Sequence, residues 1–414
     1  MRGLQGKLES VLGEVPERLL CDLVAKKLAA HGVELSARQR EGLAKQLLAN
    51  DGKFVHQPWK FWDRREISLE FTDADFEELK GKADKLEKAI PEIMEGLTAS
   101  LATEMLADLK RRWPKERRDQ QKDLAGFRAR LRNRWKAPLD LLHMLLVICR
   151  ELGADVNQEL VKAPEFATRP HLVDVLRRSH ARSCQITAEI LTLLEGGFAD
   201  GAMARWRTLH ELAVTASFVA EHGEELAERY VLHQAVESKR AADQYEECVP
   251  RLGYEPLDAA TLQAIQDEFD AVIARFGRTF RGSYGWAAQH LSIPEPNFSQ
   301  IERAVGEDHL RAHYRLASHN VHANPKGVFF SLGLMPETPL LLAGPSNSGL
   351  TEPGQGAARS LSVVTAVFCT LHPSLDNNMT LRVISHLVDE IGPAFGEAHN
   401  QLVDDEMAHR AAET

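Results

Sequence analysis

This sequence predicts a mainly α-helical protein, and three observations predict it. Its long segments repeat apolar residues at a period near 3.6. Most of those segments stop at glycine or proline, as helix C-termini do. Alternating, β-rich stretches are confined to two short places, residues 67–71 and 328–343. With 414 residues, 44% hydrophobic and 27% charged, the chain is long enough for a sizeable core and two or three domains.

Residues 1–50 read as two short amphipathic helices. Leu20, Leu23, Val24, Leu28 and Ala29 recur at helical spacing, and Ser36 is an N-cap candidate before Ala37–Leu48. Asn50-Asp51-Gly52 stops the second helix. Ile67 to Phe71 alternates and predicts a short strand. A charged helix follows from about Ala74 to Leu109, and its surface suits a solvated face or a coiled-coil-like seam. Pro114 is expected to break it.

Helices are then expected at Pro138–Leu152 (ending at Gly153), His171–Leu194 (ending at Gly196-Gly197), Ala199–Glu221 (ending at His222-Gly223), Glu224–Val249 (closed by Pro250 and Gly253), Leu257–Phe276 (ending at Gly277) and Glu307–Ala323. Val328–Leu332 and Leu340–Leu342 predict a small β-hairpin. Two more helices cover about 355–371 and 376–401, with the last dozen residues frayed. The organisation expected is residues 1–120 as an N-terminal helical region with a short strand, 121–350 as a helical bundle, and 351–414 as C-terminal helices packing on it.

Net charge is −10, which argues against a protein that coats nucleic acid indiscriminately. Five cysteines at long spacings, Cys21, Cys149, Cys184, Cys248 and Cys369, suit reduced buried thiols rather than a disulfide framework. Met1–Arg18 lacks the apolar core of a signal peptide. Leu139–Cys149, the most apolar stretch, is interrupted by Asp140 and His143 and is far shorter than the ~20 residues a membrane span needs. A cytoplasmic protein without membrane contact is expected. Phosphate-cradling glycine loops, a dinucleotide fingerprint, a metalloprotease helix and a nucleophile elbow are all absent, so no cofactor is implied.

Two segments carry chemistry. Lys110–Lys136 holds twelve Lys or Arg against three acids, interleaved with Trp113, Phe127 and Trp135. Positive charge among aromatic rings suits RNA contact, with Arg128, Arg130, Arg132 and Arg134 as candidate substrate-binding residues. A solvated linker helix is the other reading. The second segment is histidine-rich. Placed on a helix, Leu310, Tyr314, Ala317 and Val321 share a core stripe, and Arg315, His319 and His322 lie on another. A guanidinium can hold a phosphate bidentately and an imidazole can move a proton near neutral pH. Solvated helix-end residues are the plain alternative. A metal site on His309 and His313, or on His319 and His322, is a third reading, but no cysteine or carboxylate pair completes it.

The region of about 170–350 resembles an uncharacterised bacterial family of helical proteins, through Arg207-Thr-Leu-His-Glu211 and Ser318-His-Asn-Val-His322. That pattern in turn is similar to the HEPN (higher eukaryotes and prokaryotes nucleotide-binding) superfamily, whose signature is Arg, four to six residues, then His. Arg315 to His322 fits with six between, and Arg205 to His210 fits with four. The resemblance implies a HEPN-like helical bundle over 121–350, a homodimer, and metal-independent ribonuclease activity of the toxin or phage-defence type. Arg315 would then bind the scissile phosphate and His322 act as general acid or base, with His319 auxiliary and Ser318 on the substrate. Arg207 and Glu211, four apart, form an ion pair bracing the bundle. Leu316 stands where that family often has a polar residue. This departure favours the rival function, a non-catalytic helical module that binds a protein partner or a nucleotide.

Overall fold

The computed structural model describes residues 12–36, 39–40, 42, 69–162, 168–322, 324–335 and 341–413. Contacts within the chain fall into two units, Met1–Asp119 and Gln120–Thr414. The structure is mainly α, and no strand occurs among the described residues.

In the first unit, α1 (Val15–Ala30) buries Cys21, Leu23, Val24, Ala25 and Leu28. Val24 and Leu28 pack against Val33, Leu35 and Leu69. The long helix α2 (Asp73–Lys162) begins in this unit. Lys27 pairs with Asp75 at 2.6 Å and Lys26 with Glu78 at 2.8 Å. Hydrogen bonds from these lysines hold the carboxyls of Asp75 and Glu78 down at about 2.

The expected strand at 67–71 does not form where it is described; Ile67 and Ser68 lie outside the described residues. Leu69 to Thr72 are irregular. The reason is local. The Glu70 carbonyl accepts from Lys27 Nζ, and the Asp75 carboxylate accepts from both the amide and the hydroxyl of Thr72, which caps α2 instead.

Pro114 does not end α2 either. One missing N–H costs about 3 kcal/mol, and the flanking Lys, Arg, Glu and Gln residues favour helix strongly enough to carry it. The one non-helical residue in α2 is Trp135, at φ −93°, ψ 16°. Gly153, expected as a stop, lies inside the helix. A Cβ there would fall 2.1 Å from His180 Cε1, so the glycine serves close packing rather than termination.

The second unit is built on α3 (Pro170–Glu195) and α4 (Ala199–Leu232), joined by Gly196–Phe198. Helix α4 is broken at Gly223 (φ 75°, ψ −151°), where the sequence expects one helix to stop and the next to begin. Next come α5 (Gln234–Leu252) and α6 (Ala259–Phe276). Shorter pieces follow: α7 (Ala288–Leu291), α8 (Phe298–Ala304), α9 (Arg311–Val321) and α10 (Pro325–Phe329). Helices α11 (Thr351–Cys369) and α12 (Leu375–Glu413) complete it, with α12 continuing through the expected frayed end.

One buried cluster joins Leu131–Leu160 of α2 to α3, α4, α11 and α12. Trp135 is fully buried and donates from Nε1 to the Asn347 side-chain oxygen at 2.8 Å. Ser346 donates from its amide to Gly197 O at 2.9 Å, so the 344–349 loop is tied to the bundle twice.

The expected hairpin at 328–343 is a correction too. Val328 and Phe329 belong to α10, because Asn324 accepts from Gly327 N (2.8 Å) and Pro325 follows at the first helical position. The Leu332 amide then goes to Asp200 Oδ1 at 2.9 Å, which leaves it unavailable for a ladder. Leu341 and Leu342 are irregular, and 336–340 lie outside the described residues. All five cysteines are free thiols, four of them buried. No described helix is long and apolar enough to cross a membrane.

Candidate functional site

The histidine-rich helix α9 carries no carboxylate along its length. Its inner face buries Tyr314 and Ala317, while Leu310 is half-buried and Val321 is 51% exposed. The stripe is incomplete because α9 is short: Leu310 closes a 3-10 turn before it and Val321 is its last residue.

Tyr314 anchors α9 to α4. Its hydroxyl donates to Glu211 Oε1, which also accepts from Arg207 Nε at 3.1 Å. The Arg207 guanidinium lies 4.7 Å from the centroid of the Tyr314 ring, and that of Arg311 lies 5.1 Å from it. Burial and the neighbouring Glu211 carboxylate push the Tyr314 phenol well above its ordinary range. The ring is therefore a hydrogen-bond donor and not a base.

Below this lies a fully buried carboxylate. Glu302 on α8 is 0% exposed. It accepts from His210 Nε2 at 2.9 Å and from Arg311 Nη1. Helix α8 is fixed at its start by a capping box between Asn297 and Gln300, which sets the height at which Glu302 meets its partners. His210 is stacked on Trp206 and is lowered in pKa by burial, with Glu302 opposing. Hence His210 and Arg205 do not form a site: His210 faces inward, while Arg205 pairs with Glu189.

Arg315 and His322 are both exposed. Among the described residues neither side chain has a hydrogen-bond or ion-pair partner. His322 has left the helix (φ −107°, ψ 133°), although its amide still donates to Ser318 O at 3.1 Å. His319 is half-buried, and Asn324 donates to its Nδ1 at 2.9 Å, which puts the ring proton on Nε2. Ser318 turns its hydroxyl back to Tyr314 O at 2.8 Å. Gly327 allows α10 to close on this corner, since a Cβ there would lie 2.1 Å from His319 O.

Of the four arginines in the basic segment, two are committed. Arg132 pairs with Asp140 (2.7 Å) and Glu195 (2.9 Å), and Arg134 pairs with Asp405. Arg128 and Arg130 are exposed. The aromatic interleaving divides as well: Trp135 is core, Phe127 is half-buried against it, and Trp113 is 52% exposed. Among the described residues no group of three or more His, Cys, Asp or Glu could hold a metal ion.

Sequence reasoning did not join Tyr314 to Arg207 and Glu211, nor Glu302 to His210 and Arg311. The available signal was charge: α9 has no acid of its own, so a carboxylate that meets one of its arginines must come from another helix.

Among protein families, residues 173–335 match the profile of one described as a family of unknown function (DUF5677). That stretch takes in the whole of α4 and α9, so the two motifs that face each other across the Tyr314–Glu211 contact both fall within the similarity. No curated protein and no solved structure matches the chain.

Proposed function

We propose that the outer face of α9 is a phosphodiester-directed site and that the protein is a metal-independent endoribonuclease, of the toxin or phage-defence type, acting through Arg315 and His322. One observation carries the reading: α9 is locked to the bundle by Arg311 and Tyr314, while Arg315 and His322 on its outer side remain exposed and uncommitted. The resemblance to the HEPN signature supports it.

In the proposed chemistry, the Arg315 fork binds the non-bridging phosphate oxygens and offsets the charge that builds on them. His322 takes the proton from the ribose 2′-hydroxyl as the 2′-oxygen attacks phosphorus. The P–O5′ bond breaks, and the same imidazole returns the proton to the departing 5′-oxygen. His319, with Nδ1 engaged by Asn324, offers an Nε2–H donor beside the phosphate. The products are a 2′,3′-cyclic phosphate and a 5′-hydroxyl.

The test is cleavage of a labelled RNA by the full chain with excess chelator present. Wild type is expected to cut, leaving cyclic phosphate ends. His322→Ala is expected to lose cleavage, and Arg315→Lys to be severely impaired because a point charge cannot replace a planar fork. Intact RNA with wild type, or equal cutting by His322→Ala, sinks the reading.

A non-catalytic binding module is the second reading. It is favoured by Leu316 next to Arg315 and by the lack, among the described residues, of any group that orients the His322 ring. RNA bound but uncut, with binding lost in Arg315→Ala, would select it.

A further inference from the structure

Helix α2 leaves an apolar stripe in solvent over the part that belongs to the first unit. Leu79, Ala83, Leu86, Ile90, Ile93 and Leu97 alternate at spacings of four and three, and Leu101 and Met105 continue the line. At about 100° per residue these positions stay within roughly a third of a turn, over about 40 Å of helix. Ile93 is 57% exposed, Leu97 42% and Met105 46%. Leu109 and Trp113, drifting toward the next face, are 55% and 52% exposed. A helix of this length holds its shape chiefly through packing of its apolar face; Leu79, Leu86, Ile90 and Leu101 are half-buried, and among the described residues nothing covers Ile93, Leu97, Met105 and Leu109.

The charge pattern says what covers them. Residues 73–100 carry eight carboxylates and four lysines, a net of −4, whereas 110–119 carry six Lys or Arg and two acids, a net of +4. A parallel partner of the same sequence would set acid against acid and base against base. An antiparallel one sets each acidic stretch against a basic one. It also puts the two-fold axis midway between the two charge centres, close to Leu101. In that register Leu97 faces Met105 and Ile93 faces Leu109 of the other copy, so apolar meets apolar along the middle of the pair. The contact is isologous and therefore closes at two copies.

We infer that the exposed stripe of α2 between Ile93 and Leu109 pairs antiparallel with the same stripe of a second copy of this chain, with Leu101 at the axis. Apolar residues every four positions give a short seam around the axis, and the flanking charges give the direction. The pairing does not depend on the α9 chemistry.

The experiment uses the full chain in two arms. Mass by light scattering at tens of micromolar is expected to be twice the chain mass for wild type and one chain mass for Ile93→Glu/Leu97→Glu. These side chains lie in solvent, so far-UV circular dichroism of the variant should keep the wild-type helical signal. In a Cys248→Ser background, which removes the only cysteine that is not buried, Leu101→Cys should form an interchain disulfide on mild oxidation. Leu79→Cys should not, because its antiparallel counterpart lies more than 40 residues away. A monomeric wild type, a dimer unaffected by the Ile93→Glu/Leu97→Glu change, or Leu79→Cys crosslinking as well as Leu101→Cys would overturn the inference.

Discussion

The two sides of α9 differ in what they owe to the rest of the bundle. On the inner side Arg311 meets the fully buried Glu302, and Tyr314 meets Glu211 and Arg207. Both of these side chains have a carboxylate partner on another helix. On the outer side Arg315 and His322, only a turn or two away, have none among the described residues and are exposed. The same residue types therefore do opposite things within eleven positions. Inside, an arginine is a structural cation that neutralises a carboxylate already out of water. Outside, it is free to take an anion the protein does not contain.

That contrast is broken most directly at Glu302. Glu302→Leu should destabilise the protein by about 3 kcal/mol, because it leaves Arg311 and His210 without their shared carboxylate. A urea midpoint close to that of wild type would mean that the inner side is not held by this charge.

The next largest effect is one of pH, and it sharpens the distinction between enclosed and exposed histidines. Burial brings His180 down to about 4, while the unfolded side chain titrates near 6.5. Between those values the unfolded state binds more protons, so stability rises with pH across this window. It is fully present above about 6.5 and falls as pH drops toward 4, by up to about 3 kcal/mol from this residue. His210 is shifted in the same direction by burial and adds to the trend. Urea unfolding between pH 4 and 7 should show the slope, and His180→Leu should flatten it. An unchanged slope would remove His180 from the account.

Smaller still is Tyr314→Phe, which loses one hydrogen bond to a partly exposed carboxylate and should cost about 1 kcal/mol. The smallest effect belongs to the outer side. Arg315→Ala and His322→Ala should each shift stability by less than about 0.5 kcal/mol. A larger loss in thermal or urea unfolding would place these residues with the inner group and weaken their claim to a ligand.

The parts legible in the sequence were those written in local rules. Glycine stops at Gly196, Gly253 and Gly277 are helix ends in the structure, and the i,i+4 spacing of Arg207 and Glu211 is an ion pair. What could not be read was set by distant residues or by competing local chemistry. Gly153 continues a helix because His180 packs against it from α3. Val328 and Phe329 have the composition of a strand, but Asn324 and Pro325 begin a helix just before them. Tyr314 and Glu211 stand 103 positions apart, and no periodicity reports such a meeting. The exposure of Arg315 agrees with its expected face, but the stripe does not persist: His322 lies beyond the end of α9 and His319 is half-buried on Asn324. Nor was it legible that the arginines at 132 and 134 would be taken up by Asp140, Glu195 and Asp405.

Glu302 has a consequence for how the bundle opens. One carboxylate ties α8 to α4 through His210 and to α9 through Arg311. Helix α9 cannot swing away without taking Arg311 from the fully buried Glu302, which would then keep His210 alone. Backbone amides of α8, of α9 and of the middle of α4 should then exchange with solvent deuterium at a common rate, as a single cooperative block, and not fray one helix at a time. Any molecule that grips the outer side of α9 would slow exchange across all three helices, including positions it never touches.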